Sequence, residues 1–179
     1  MIRTALFVGL GLGAALAVFA STGNRRVTQN PLSPSAETSI MLGGHAITIE
    51  YNAPSVRGRK IEGGLVPNSR VWRLGADAAT TLTTDANLTI GDLQVPKGVY
   101  TLFIQGSDHG WTLIVSKQTG QWGLSYDQSQ DLGRVAMNTT KPGSPVEKLK
   151  ITLKSSGASD GALDIAWGNT QATVPVKAR

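Results

Sequence analysis

Leu88-Thr89-Ile90, Gly91-Asp92, Leu93-Gln94-Val95, Pro96-Lys97-Gly98, Val99-Tyr100-Thr101-Leu102-Phe103-Ile104: here short β-favouring runs alternate with turn residues. Branched and aromatic side chains suit a pleated strand, and no run is long enough for two turns of helix. Val95-Pro96-Lys97-Gly98 fits a type I turn, with proline fixing φ at the second position and glycine closing the turn. Beyond it, Val99–Ile104 and Trp111–Val115 are expected to pair across the polar connection Gln105–Gly110.

The same rhythm runs outward in both directions. Upstream, Ser39–Leu42, Gly43-Gly44 and His45–Tyr51 read as a hairpin, because paired glycines accept the positive φ of a tight primed turn. Thr80–Thr84 is a further short strand, and downstream Arg134–Asn138, Leu149–Leu153, Leu163–Trp167 and Thr173–Val176 are candidates. In the last three, apolar residues alternate with polar or small ones, as a sheet with one buried and one wet face requires. About ten short strands punctuated by Gly, Pro and Asn predict an all-β fold, an antiparallel β-sandwich, with a closed β-barrel as the alternative.

The N-terminus reads differently. A short basic start containing Arg3 precedes 16 uninterrupted apolar residues, Ala5–Ala20, shorter than a spanning helix of ~20 residues. With Val18-Phe19-Ala20 at its end, residues 1–20 are read as an export signal cleaved after Ala20. The alternative is an uncleaved anchor, with Arg25-Arg26 behind it. The domain is thus expected to be secreted or periplasmic, and membrane-bound only if the segment stays attached. Gly9, Gly11 and Ala14 match a dinucleotide fingerprint in spacing, yet no strand precedes them and the match is discarded. Residues 21–36, rich in Ser, Thr, Asn and Pro, read as a disordered tether, and residues 37–179 as one sandwich domain.

Composition narrows the chemistry. The chain of 179 residues has 40% hydrophobic and 16% charged residues, which argues for a folded core rather than disorder. The absence of Cys excludes disulfides, thiol catalysis and thiolate metal sites. Seventeen Lys and Arg face 12 Asp and Glu, and five of the bases fall in Asn52–Arg73 against Glu62 alone. Arg57 and Arg59 sit on a loop-like segment after Pro54. Clustered arginines grip carboxylate or phosphate through paired hydrogen bonds, or else pair with acids such as Asp77 and Asp131. Nucleic acid is not expected as a partner: no aromatic platform interleaves the bases.

Of the four tryptophans, Trp111 and Trp167 lie in strand patterns and are assigned to the core. Trp72 and Trp122 fall at strand edges or loops, where they either pack or grip a sugar face. His45 and His109 have no further His or Cys to complete a metal site, and no cofactor is expected. Gly123-Leu124-Ser125-Tyr126-Asp127 lacks the last glycine of a nucleophile elbow. Paired carboxylates for glycoside cleavage would come from Glu50, Glu62, Asp77, Asp127 or Asp131, at a separation the sequence does not give. Asp127 and Asp131 flank Gln128-Ser129-Gln130 and either hold a cation or are simply solvated.

Taken in order, several blocks resemble a bacterial family, "domain of unknown function 2911". They include Tyr51-Asn52-Ala53-Pro54, Arg57-Gly58-Arg59, Leu65-Val66-Pro67, Val71-Trp72-Arg73-Leu74-Gly75-Ala76, Pro96-Lys97-Gly98-Val99-Tyr100, Trp111-Thr112, Gln121-Trp122-Gly123, and Asp131 with Arg134-Val135. The resemblance runs from about Ser33 to Val176. It implies an exported β-rich domain and transfers no catalytic residue. It also implies aromatic residues where this chain has Glu62 and Asn68, and Asn where it has Asp77. The proline–glycine–tyrosine block also occurs in prealbumin-like sandwiches, an analogy of fold alone.

The resulting expectation is an exported Ig-like or prealbumin-like sandwich acting as a non-catalytic binding module. Its working surface is expected at Arg57, Arg59, Trp72, Arg73 and Asp77, with Trp122 and Arg134 adjoining. The ligand is expected to be a small anion or carbohydrate, or the partner an envelope protein. The rival expectations are a purely structural module and a hydrolase of envelope glycans or esters.

Overall fold

The computed structural model describes residues 33–179. Residues 1–20, read as an export signal, and most of residues 21–36, read as a tether, lie outside the described residues. The first strand begins at Ser35, so Ser35 and Ala36 pair with Asn52 and Tyr51.

Among the described residues, thirteen strands make two antiparallel sheets. The first contains β1 (Ser35–Leu42), β2 (His45–Asn52), β3 (Val71–Arg73), β4 (Thr81–Thr84), β7 (Gly98–Ser107), β8 (Gly110–Ser116) and β9 (Asp131–Ala136). Its order is β1-β2-β4-β7-β8-β9, and β3 pairs with the far half of β7. The second contains β5 (Leu88–Ile90), β6 (Leu93–Val95), β10 (Asn138–Thr140), β11 (Val146–Ser155), β12 (Asp160–Gly168) and β13 (Thr170–Ala178). Its order is β11-β12-β13-β5-β6, with β10 on β13. Neither sheet closes on itself, so the fold is a β-sandwich and not a barrel.

The core follows from the period-two alternation of strands. From the first sheet Ile49, Leu82 and Tyr100 align in one cross-strand row, and Ile104, Leu113 and Val135 in another. They meet Ile151, Ile165 and Ala172 of the second sheet, also a single row. All are buried, each fully buried aliphatic side chain contributing about 1.5–3 kcal/mol. On β11 the buried Leu149 and Ile151 alternate with exposed Lys148 and Lys150, the one-sided pattern read from the sequence.

β7 and β8 depart from that pattern. Phe103 and Ile114 are as buried as the core yet point to the opposite face. The connection from β8 to β9 crosses that outer face, and its Tyr126 meets Phe103 edge-on, with centroids 5.0 Å apart and planes at 68°. The unbroken apolar runs Leu102-Phe103-Ile104 and Leu113-Ile114-Val115 are the sequence signature of strands covered on both sides.

One side of the sandwich is sealed without closing a barrel. β11 is an edge strand, and its outward amides at alternate residues find partners from the first sheet's side. Leu149 N donates to Pro54 O at 2.9 Å, Ile151 N to the Tyr51 hydroxyl at 3.1 Å, and Leu153 N to Thr38 Oγ1 at 3.1 Å. Covering an edge in this way removes a template for pairing with other chains.

Candidate functional site

Two connections flank β3. The longer, residues 53–70, leaves β2 and is fastened to β11: Val56 N donates to Glu147 O at 2.7 Å and Arg57 N to Glu147 Oε1 at 3.0 Å. Arg59 closes the turn at Gly58 by donating from Nε to Val56 O (3.0 Å) and from Nη2 to Ser55 O (2.6 Å). The shorter connection, residues 74–80, is pinned by Asn52 Nδ2 on Ala76 O at 3.1 Å and by the Thr80 hydroxyl on Leu74 O. A Cβ at Gly75 would sit 3.0 Å from Thr80 Oγ1 and 3.1 Å from Asn52 O, so glycine suits this crossing.

Arg57, Ser69 and Asp77 are the non-glycine residues with positive φ among the described residues, at 48°, 65° and 57°. All three belong to these connections. The left-handed region costs an ordinary residue about 1–2 kcal/mol, and such strain concentrates where a backbone is held for a purpose.

Arg57, Arg59, Trp72, Arg73, Asp77 and Trp167 line one cleft of about 210 Å³ between the two connections. Trp72 stacks on Trp167 with centroids 5.1 Å apart and planes at 21°. Trp167 is 1% exposed and its Nε1–H makes no hydrogen bond. Arg73 is half-buried with its stem along Gly123; it forms no ion pair with Asp77, and its guanidinium has no partner among the described residues.

Five of the seven residues singled out from the sequence thus share one cleft, and two do not line it. Trp122 bridges to Ala78 nearby and is 56% exposed. Arg134 lies on the outer face, in the cross-strand row Arg73, Phe103, Ile114, Arg134. There it pairs with Asp131 at 3.0 Å and donates to Gln105 Oε1 at 2.6 Å and to the Tyr126 hydroxyl at 2.7 Å. Tyr126 in turn donates to Asp131 Oδ2 at 2.8 Å. Burial, then the hydrogen bond to that carboxylate and its charge, push the phenol up to about 12 against the opposing pull of Arg134. Asp131 is therefore held by Arg134, not by Arg57 or Arg73. The sequence reading missed Tyr126 and Gln105, which no local pattern marks.

The carboxylates weighed for hydrolysis do not share one cavity. Glu50, Glu62 and Asp77 line different cavities, one of the five carboxylates in each. Asp127 accepts from Ser129 N at 2.9 Å and Ser129 Oγ at 2.7 Å, capping the 3₁₀ turn Gln128–Gln130. Those bonds hold its carboxyl below the usual range. His109 lines a cavity with Lys60 and Asp108 that Ser125 does not line.

The model of the family described as "Protein of unknown function (DUF2911)" matches residues 33–176. The chain belongs to the DUF2911 family. No curated protein and no solved structure matches it. The match ends within β13 and covers nearly the whole sandwich. In this DUF2911 domain, the Arg57-Gly58-Arg59 and Trp72-Arg73-Leu74-Gly75-Ala76 blocks meet at the cleft. Of the departures from the expected pattern, Glu62 accepts from Thr170 Oγ1 at 2.5 Å, Asn68 donates to Asp108 at 3.0 Å, and Asp77 lines the cleft.

Proposed function

We propose that this DUF2911 protein is an exported, non-catalytic binding module that holds a small anionic ligand between residues 53–59 and 73–77. The observation that carries the reading is a cleft lined by Arg57 and Arg59, with Arg73 at its rim toward the outer face and the Trp72–Trp167 stack beside it. Arg73 supplies a charge with no internal partner, suited to paired hydrogen bonds with a carboxylate or phosphate. The volume lies below the ~300–1,000 Å³ of drug-sized sites, which selects a compact ligand. Export rests on the Ala5–Ala20 run, and fractionation of cells should find a chain beginning at Ser21 outside the cytoplasm.

A thermal-shift screen with succinate, citrate, inorganic phosphate and sugar phosphates tests the ligand class. A ligand at a hundred times its Kd adds about 2.7 kcal/mol, a rise of roughly 5–10 °C for a chain of this size. The rise should vanish in a folded Arg73→Ala protein. If none of these anions shifts the melt, or if Arg73→Ala keeps the full shift, the reading fails.

A further inference from the structure

We propose a second binding site, for a neutral saccharide, at the end of the sandwich where β7 turns into β8. A cavity of about 700 Å³ opens there between that turn, residues 60–68, β10 and the turn from β12 to β13. Its volume lies within the range of small-molecule sites. It is distinct from the cleft at Trp72 and shares no lining residue with it.

The walls are braced. Asn68 is fixed to Asp108, Thr170 to Glu62, and Trp111 N to Thr139 Oγ1 at 3.0 Å. Asn68 also bridges to Gly106, and Ser69 N donates to Gly106 O at 2.9 Å, so the long connection is tied to β7. Loops held before a ligand arrives lose little freedom when it binds. Within this frame the side chains of Lys60, His109, Thr140, Lys141 and Asn169 have no hydrogen bond or ion pair among the described residues.

The charges select the class. Lys60 and Lys141 are matched by Glu62 and Asp108, so no net field favours an anion or a cation. Val66 and Trp111, the large apolar residues of the lining, are 1% and 3% exposed and offer little surface to an apolar ligand. No three His, Asp or Glu converge among the described residues to hold a metal ion. What the cavity offers is donors interleaved with acceptors. A sugar hydroxyl is both at once, so neighbouring hydroxyls can bond Asp108 on one side and Asn169 or a lysine on the other.

Isothermal titration of the full chain with cellobiose, maltose and diacetylchitobiose tests the site. At least one should bind saturably in the millimolar range and about tenfold more weakly to Asp108→Ala and Asn169→Ala. Succinate and phosphate should not compete. Lys141→Ala, at an exposed residue, serves if Asp108→Ala fails to fold. No binding by any of the three sugars, undiminished binding by the folded variants, or competition by the anions would overturn the proposal.

Discussion

Replacing Tyr51 by Phe removes one oxygen atom from the seam between the sheets. That hydroxyl accepts from Ile151 N at 3.1 Å and donates to Ile151 O at 3.4 Å, and both residues are buried, at 8% and 3% exposure. The ring stays, so no large cavity opens. What is lost is the partner of a buried amide on an edge strand, which costs about 2 kcal/mol. For a domain of this length the melting temperature should fall by roughly 4–8 °C. Urea titration should show a lower midpoint at unchanged slope, because the surface exposed on unfolding is the same. Thr38→Val removes the equivalent partner of Leu153 N at a half-buried position where water can substitute, so its cost should stay within about 0.5 kcal/mol. Equal losses at the two positions would refute the dependence on burial, and a Tyr51→Phe protein as stable as the parent would refute the idea that the Tyr51 hydroxyl seals β11.

Three further outcomes are expected. Tyr126 should ionise only near pH 12 in an ultraviolet titration, and the Tyr126→Phe protein should lack that late step. Because its folded pKa is raised above the ordinary tyrosine value of about 10, its stabilisation is complete below about pH 10 and is lost as pH climbs through about 12. The Asp127 carboxyl should titrate below the usual range by NMR and return toward it in Ser129→Ala; a midpoint unmoved by that change would discard the cap as the cause. Gly123→Ala places a Cβ 2.8 Å from Asp77 O and 3.0 Å from Arg73 Cδ, and should cost about 1–3 kcal/mol in a thermal melt.

The parts of the fold legible in the sequence are those set by local chemistry. Gly43-Gly44 announced a primed turn, and both residues have positive φ, 59° and 81°, with Leu42 opposite His45. β5 and β6 have the boundaries read from their turn residues. β3 was not legible: three residues between a charged loop and a glycine give no alternation to detect, and only pairing with β7 makes them a strand. The cover over Phe103 was legible in principle, from apolar runs too continuous for a sheet with a wet face. At the cleft, the basic bias and the Arg57-Gly58-Arg59 and Trp72-Arg73 blocks singled out residues that line one cleft because they sit on neighbouring elements. Arg134 was misplaced among them because its neighbours are fixed by register across β8 and β9, which charge counting does not see.

The Trp72–Trp167 stack joins β3 of one sheet to β12 of the other. Two indoles that close and nearly parallel couple their excited states, giving paired circular-dichroism bands of opposite sign. The signal needs the two sheets to be in correct alignment, whereas the backbone signal needs only strands. In a collapsed state that keeps its strands but loosens its packing, the couplet should disappear first. The molecule thus carries its own optical gauge of sheet-to-sheet alignment, one that Trp72→Phe would silence.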